Sequence, residues 1–581
     1  MKHISKRLGV VLATLMLVGL FVVIFIIAGK RNSGDYSSTG DTSSAGDISS
    51  TGAISSADDI SFDNAILTDE QVTQNFYNAY TRPRIEEIYA TPNTEYSGTA
   101  YYVSSSEGND GNDGLSQRSP LKTISMVNNL ISNGTIGQDS VVYFKRGDEW
   151  RGETIFIPSN DCNITISAYG TGSKPIFNGS RDNYAKESYW TLVDSANHIY
   201  KFVPPSGTAA NYWQDTNWDV GAIVLADQDG NVKDSPKCFL QENTDGTKTN
   251  KTTGMTFSSY SDLDNLHFFH DTPKNGAVNI DGDCELYLRC DAGNPGSVFK
   301  DIEFLEGRGL IQGVPHIKAP TIDNIEFRNC SSHAISIPFS RNLTVKNCVF
   351  NWVGGATQYE TVRYGNGIEI WGSAENFTVD NCYFSQIYDA AVTFQFSRDN
   401  AESGDVYCKN IKFTNNVMEY CNYSVEYFLR VKVKNSEGEE VWSDSSAIEN
   451  FTISGNHMWY AGYGFCEQRS DKGGDAHIKS WSAYNKCLGG FNISDNIFSV
   501  ARNCLIETRH GAAESAEPVY SNNTYIQYKN RNETGTHYLG NVGSVENAPL
   551  TVAFGGNVRS TISTWGDTNA TIVWIDNTTQ P

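Results

Sequence analysis

Six stretches in the second half of the chain alternate apolar and polar positions in the same way. They are NIEFRNC from Asn324, NLTVKNC from Asn342, NFTVDNC from Asn376, NIKFTNN from Asn410, NFTISGN from Asn450 and GFNISDN from Gly490. A period of two, carried by β-branched and aromatic residues and closed by Asn, Asp or Gly, is the pattern of a short half-buried strand. The starts are 18, 34, 34, 40 and 40 residues apart. A second apolar stretch follows each: Val425, Phe465 and Leu505 all lie 15 residues past their starts, with AISIPF, GIEIW and AVTFQ as less regular counterparts. Most of the variation in length falls after this second strand. Stacked strands that keep register while loops vary on one side are the mark of a solenoid. With no helical period between the strands, the pattern predicts an all-β chain folded as a right-handed parallel β-helix.

The flanks complete this organisation. In SPLKTISMVNNLI, Ser119 reads as a helix N-cap and Pro120 as the first helical position. Leu121, Ile124, Val127 and Ile131 then share one face, so an amphipathic helix is expected to close the N-terminal end of the solenoid. Residues 1–7 are basic and residues 8–29 carry no charge, a run long enough to cross a bilayer core of about 30 Å as a helix. Lys2, Lys6 and Arg7 before it outnumber Lys30 and Arg31 after it, which places a short cytoplasmic tail before a transmembrane signal anchor and the β-helix outside the cell. Residues 30–61, rich in Ser, Thr, Gly and Asp, read as a disordered tether. A connecting segment follows at 62–98, the β-helix at 99–545 and a C-terminal cap at 546–581. Residues from about 190 to 304 depart from the coil pattern and are expected to form a β insertion.

The stretches AYYVSSSEGNDGNDGLSQRSPLKTI, SVVYFKRGDEWRGETIFI and ITISAYGTGSKPIFNGS precede the NLTVKNC-type coils. Together they resemble the extracellular right-handed parallel β-helix proteins of the pectate-lyase-like superfamily. The resemblance covers about residues 99 to 530 and implies the fold. It does not choose a reaction, because lyases, hydrolases and members without known catalysis share these motifs.

Composition narrows the partners. A net charge of −23, from 44 basic and 67 acidic residues, offers no basic footprint for nucleic acid. The 12 cysteines suggest no metal or redox site. Cys330, Cys348 and Cys382 are expected to stack along the interior, continued by Asn416, Asn456 and Asn496 and preceded by Asn329, Asn347, Asn381 and Asn415, whose amides can bond from coil to coil. Cys284 and Cys290 bracket ELYLR and could pair. In GNDGNDG, Asn109, Asp110, Asn112 and Asp113 are hard oxygen ligands that Ca²⁺ would accept, and equally the residues tight turns use. Arg146-Gly147-Asp148 reads as a turn at a strand end.

Acid and base groups gather on the second strand of the repeat. Glu467 and Glu507 lie 17 residues past their starts, and Arg469 and Arg509 lie 19 past, so two E-x-R units are expected to stack on neighbouring coils. Phe465 and Glu467 would then share a face, so either a bulge intervenes or one assignment fails. Glu369, Asp389 and Glu426 fall on or beside the same sheet. A spacing of about 4.8 Å per coil puts pairs among these carboxylates near the separations glycosidases use. His477 is a candidate proton-transfer group. Arg469, Arg509, Lys479, Trp371, Trp481 and Tyr364 are candidate substrate-binding residues, since flanking aromatic and basic groups make a groove for sugars. In a structural ladder the same arginines would only neutralise the glutamates.

These features point to a membrane-anchored extracellular enzyme acting on a polysaccharide. A glycoside hydrolase would use two of the five carboxylates. A polysaccharide lyase would need Ca²⁺ or arginine to neutralise a uronate, with Lys479, His477 or an arginine as base. A non-catalytic glycan-binding or cell-surface interaction protein on the same solenoid is the alternative, and it predicts carboxylates that are all paired or scattered.

Overall fold

The computed structural model describes residues 65–576, except 159–162, 206–211, 213–218, 241–255, 258–261, 272–283, 308, 316–317, 360–361, 399–405, 444–445, 470–473, 482–485, 510–514, 530–537, 544–549, 553–561 and 564–565. Its body is a right-handed parallel β-helix of three sheets around one apolar column. The first sheet stacks Thr321–Asp323, Thr344–Lys346, Thr378–Asp380, Tyr407–Thr414, Ala447–Ser454 and Asn492–Ser494 in parallel register. The second runs through Glu326–Cys330, Val349–Val353, His457–Ala461 and Ile497–Ala501. The third includes Ile368–Trp371, Ala476–Ser480 and Cys504–Arg509. Two long strands, Tyr383–Arg398 and Val417–Lys434, bend round the corner and serve both second and third sheets.

The register corrects one of the six repeats. Thr321 pairs with Thr344, so Ile325, not Cys330, sits level with Cys348. NIEFRNC belongs largely to the next sheet, where Cys330 pairs with Val353, and the spacing of 18 was a match between unlike strands. An alternating pattern fits any half-buried strand, and only pairing separates one sheet from another. Cys348 and Cys382 do stack, and the column continues in asparagine. Asn456 lies at its centre: its Oδ1 accepts the Asn416 backbone N–H at 2.9 Å and Asn416 Nδ2 at 3.0 Å, and its Nδ2 donates to Phe413 O at 2.9 Å. Asn496 and Asn523 repeat the arrangement and Asp567 ends it. At the preceding corners Asn347, Asn381 and Asn415 have φ of 55°, 52° and 57°, a left-handed conformation that asparagine tolerates better than most residues. Asn456→Ala would strand several buried polar groups at 1–3 kcal/mol each. It should cost roughly 3 kcal/mol, read as a lowered denaturation midpoint.

The capping helix starts later than expected. It spans Ile124–Ser132 with Thr123 as N-cap, its hydroxyl accepting Met126 N–H at 3.0 Å, while Leu121 bridges to Val103 in extended chain. The GNDGNDG oxygens are committed to turn bonds: Asp110 accepts Lys122 N–H at 2.8 Å and Thr123 N–H at 3.0 Å, and Asn109 and Asp113 accept Gly111 and Leu115 N–H. These are the bonds of a tight turn. Cys284 and Cys290 are both free thiols at opposite ends of the strand Leu286–Arg289, too far apart along extended chain to pair.

The connecting segment is a strap. Ala65–Leu67 pairs in parallel with Thr571–Ile575 at the far end of the solenoid. The helical run from Asp69 to Ala90 then crosses the outer face of the second sheet. Tyr77 donates to Glu419 at 2.8 Å, Trp459 to Thr81 at 3.0 Å, and Ile88 packs on Val349, Tyr383 and Val417. Arg146 receives the strap's end, donating to Thr91 O at 2.6 Å and Asn93 Oδ1 at 2.5 Å. Residues 190–304 build two antiparallel sheets around their own apolar cluster. The expected span at 8–29 and linker at 30–61 lie outside the described residues. Among the described residues no helix is long and apolar enough to cross a membrane.

Candidate functional site

With the second sheet under the strap, the third sheet carries the polar row. Parallel register aligns Ser336, Glu369, Thr393, Glu426, Lys479 and Glu507 on successive strands. Their chain neighbours Ile368, Ile370, Val392, Phe394, Val425, Tyr427, Ile478 and Ile506 belong to the core. By the strand's alternation the row therefore points away from it. Ion pairing orders the row's ends. His333 Nε2 meets Glu369 at 2.8 Å and Gln395 donates to it at 2.9 Å. Against the cost of burial, His333 and these bonds hold the Glu369 carboxyl below its usual range. Lys479 donates to Glu507 at 2.6 Å.

The middle of the row differs. Glu426 is buried, with Thr393 and Trp481 as its polar neighbours. Burial, then the charge of Asp389, push its carboxyl up to about 8, and Arg469 only partly offsets them. Asp389 sits where the long strand bulges between Ile387 and Ala390, near enough for its charge to act on Glu426. Arg469 Nη1 lies 2.8 Å from Asp389 Oδ1, its guanidinium placed over the rings of Tyr388 and Tyr423 at 5.4 and 5.6 Å. Trp481, 47% exposed, lies at the rim, with Lys479 Nζ 4.3 Å from its ring centre and Tyr423 edge-on at 5.9 Å. A protonated carboxyl beside a carboxylate with its own cation, next to an exposed indole, can protonate a leaving group and support attack on the same bond.

Of the predicted residues, the fold gathers Asp389, Glu426, Arg469, Lys479, Glu507 and Trp481 here, with Glu369 two strands away. Tyr364 packs edge-on to His333 at 5.2 Å, and Trp371 against Phe396 at 5.6 Å, so both border the Glu369 end. The stacked E-x-R units are not formed. Gly464–Gln468 is a 3₁₀ turn, and the strand level with Val425 and Ile506 is Ala476–Ser480. Glu467 is consequently off the sheet, half exposed and bound to Arg502 at 2.6 Å. His477 is enclosed: Nδ1 meets Ser424 Oγ and Nε2 meets Ser499 O, both at 3.0 Å, and burial lowers its pKa to about 4. It does not face the groove. The Arg509 side chain lies outside the described residues. Among those residues no group of three or more His, Cys, Asp or Glu could hold a metal. Tyr388 and His333, which position Arg469 and Glu369, were not singled out from sequence, and neither carries a motif that would have marked it.

Residues 313–435 match the family model described as a right handed beta helix region. Over 213 residues the chain is 30% identical to a lacto-N-biosidase of Bifidobacterium longum subsp. longum, covering 32% of this chain and 13% of that protein's length. Among solved structures, XylC in complex with xylose aligns at 11% identity and a TM-score of 0.41, covering 78% of this chain and 73% of that one. A GH136 lacto-N-biosidase from Eubacterium ramulus aligns at 13% identity and a TM-score of 0.33, covering 82% and 72%.

Proposed function

We propose that the chain is a glycoside hydrolase whose general acid is Glu426 and whose second carboxylate, nucleophile or base, is Asp389. The observation that carries this is the environment of Glu426: a buried carboxyl that holds its proton near neutral pH, beside a carboxylate whose charge Arg469 compensates. The stretch similar to a lacto-N-biosidase supports the same class. The charges around the row favour a neutral glycan and hydrolysis over elimination. Arg469 faces Asp389 and Lys479 faces Glu507, so each of these cations already meets a carboxylate that would compete with a uronate, and the His333 ring is taken up by Glu369. Trp481, exposed at the rim and backed by Tyr423, supplies a ring face for a sugar.

Incubation with a panel of neutral and acidic glycans, following both new reducing ends and unsaturated-uronate absorbance, tests this reading. New reducing ends without the absorbance are expected. The absorbance, or binding with no product across the panel, would overturn it. Trp481→Ala should raise KM about tenfold, the equivalent of one aromatic contact of about 1.4 kcal/mol, as read by initial rates across substrate concentration. On the sequence pattern alone we further propose that residues 8–29 anchor the enzyme in a membrane, with 30–61 as a spacer and the β-helix outside. Recovery of the full chain in the soluble fraction would contradict this.

A further inference from the structure

The segment that carries Arg469 is held from outside the β-helix. Gln468, the preceding residue, is buried, and its Nε2 donates to Asp234 Oδ2 at 2.5 Å while its Oε1 accepts the Lys237 backbone N–H at 3.2 Å. Both partners belong to the 190–304 insertion. Three residues earlier, Phe465 N–H donates to Gln386 Oε1 at 2.8 Å, and its ring packs among Ala222, Val224 and Leu305 of the insertion side and Tyr388 of the solenoid. The opposite wall is pinned as well. Arg363 donates to Gly221 O at 2.9 Å and lies over Tyr388 at 4.5 Å, and Thr357 N–H donates to Asp219 at 2.7 Å. Gly221 approaches Gly354 so closely that a Cβ would meet Gly354 O at 2.1 Å, so backbone seats directly on backbone.

We infer that the insertion is a positioning element for the reacting pair: Asp234 and the Lys237 backbone hold Gln468, and through it hold Arg469 against Asp389. This rests on the reading above for the roles of Asp389 and Glu426, and it goes further in assigning the insertion to the site. A glutamine amide suits the task because it engages a donor and an acceptor at once. With both engaged inside the seam, the next residue, Arg469, lies across Tyr388 and Tyr423 against Asp389. The charged groups facing Glu426 are Asp389 and Arg469; Lys479 on the following strand is committed to Glu507, and Glu369 two strands back to His333. Displacing Arg469 therefore removes from Glu426 the nearby cation that eases its ionisation.

The test needs no substrate. Thermal midpoints are measured against pH for the full chain and for Glu426→Gln, each with and without Gln468→Leu. The gap between Glu426→Gln and its parent widens with pH and levels off where Glu426 ionises in the folded state. With Gln468→Leu the plateau should begin about one pH unit higher, the scale of losing one opposite charge nearby, and Arg469→Ala should move it as far. Asp234→Asn, which keeps an acceptor for the Gln468 amide, should leave the plateau in place. If Gln468→Leu lowers every midpoint but leaves the plateau where it was, while Arg469→Ala moves it, the inference is overturned and Gln468 is only a packing residue. Should Gln468→Leu fail to fold, Asp234→Leu is read by the same criterion. Unchanged turnover in Asp389→Asn and Glu426→Gln would instead overturn the catalytic reading, whatever the plateau does.

Discussion

Glu426→Gln should lower kcat by about 10²–10⁴-fold, the usual contribution of a positioned general acid, with KM within a few-fold of the wild type. The amide keeps the shape and the polar neighbours Thr393 and Trp481 but has no proton to give. Two features separate this loss from general damage. Wild-type activity should fall as pH rises past about 8, where Glu426 gives up its proton, and the variant should lack that limb. The defect should also shrink on an aryl glycoside whose phenol leaves without protonation, because the step Glu426 assists is then no longer limiting. Asp389→Asn should lose as much on both substrates, since attack or water activation is needed whatever the leaving group. Equal losses for Glu426→Gln on good and poor leaving groups would remove Glu426 from the acid role.

How far this site was legible in sequence depended on which interaction set each residue's place. Glu426 and Glu507 were reachable because strand alternation puts polar residues opposite core ones, and that alternation is written locally in SVEYF and CLIETR. Lys479 was legible only as a basic group flanking the sheet, whereas it stands on the strand Ala476–Ser480, and Asp389 takes its place from a bulge that no alternation marks. Glu467 was placed wrongly for a nonlocal reason. GFCEQR has the apolar character of a strand, but Phe465 is taken up by the seam with the insertion, and the chain turns as a 3₁₀ helix before the strand begins at Ala476. The shared face of Phe465 and Glu467 was the local trace of that error. His477 shows the converse: it lies on the strand, yet Ser424 and Ser499 enclose it, and nothing in AHIKS distinguishes an enclosed imidazole from a reactive one. The strap was illegible because its partners, Glu419, Trp459 and the strand Thr571–Ile575, are hundreds of residues away. The NIEFRNC copy failed for want of pairing information, while the later copies, spaced by whole coils, gave the correct stacking.

The same carboxyl that drives catalysis should destabilise the fold, so Glu426→Gln should be the more stable protein as well as the inactive one. The sign follows from the two ionisation ranges. An unfolded glutamate titrates near pH ~4.3, whereas in the folded chain burial and the charge of Asp389 carry Glu426 up to about 8. Below the lower value both states are protonated and the residue costs nothing. Between the two, the unfolded chain releases its proton while the folded chain keeps it, so stability falls by one proton's worth per pH unit. Above about 8 the loss is complete, and a shift of this size corresponds to roughly 5 kcal/mol. Glutamine does not titrate, so the thermal midpoint of Glu426→Gln should match the wild type near pH 4, rise above it between pH 5 and 8, and stay a few degrees higher beyond that. Curves that run parallel across this range would mean that Glu426 ionises in the folded protein as it does in water. In an Asp389→Asn background the plateau should begin at lower pH, because part of the upward push comes from that neighbouring charge. The remaining gap would then measure burial less what Arg469, Thr393 and Trp481 offset, separating the pKa of the proposed acid into its solvent-excluded position and its partner carboxylate.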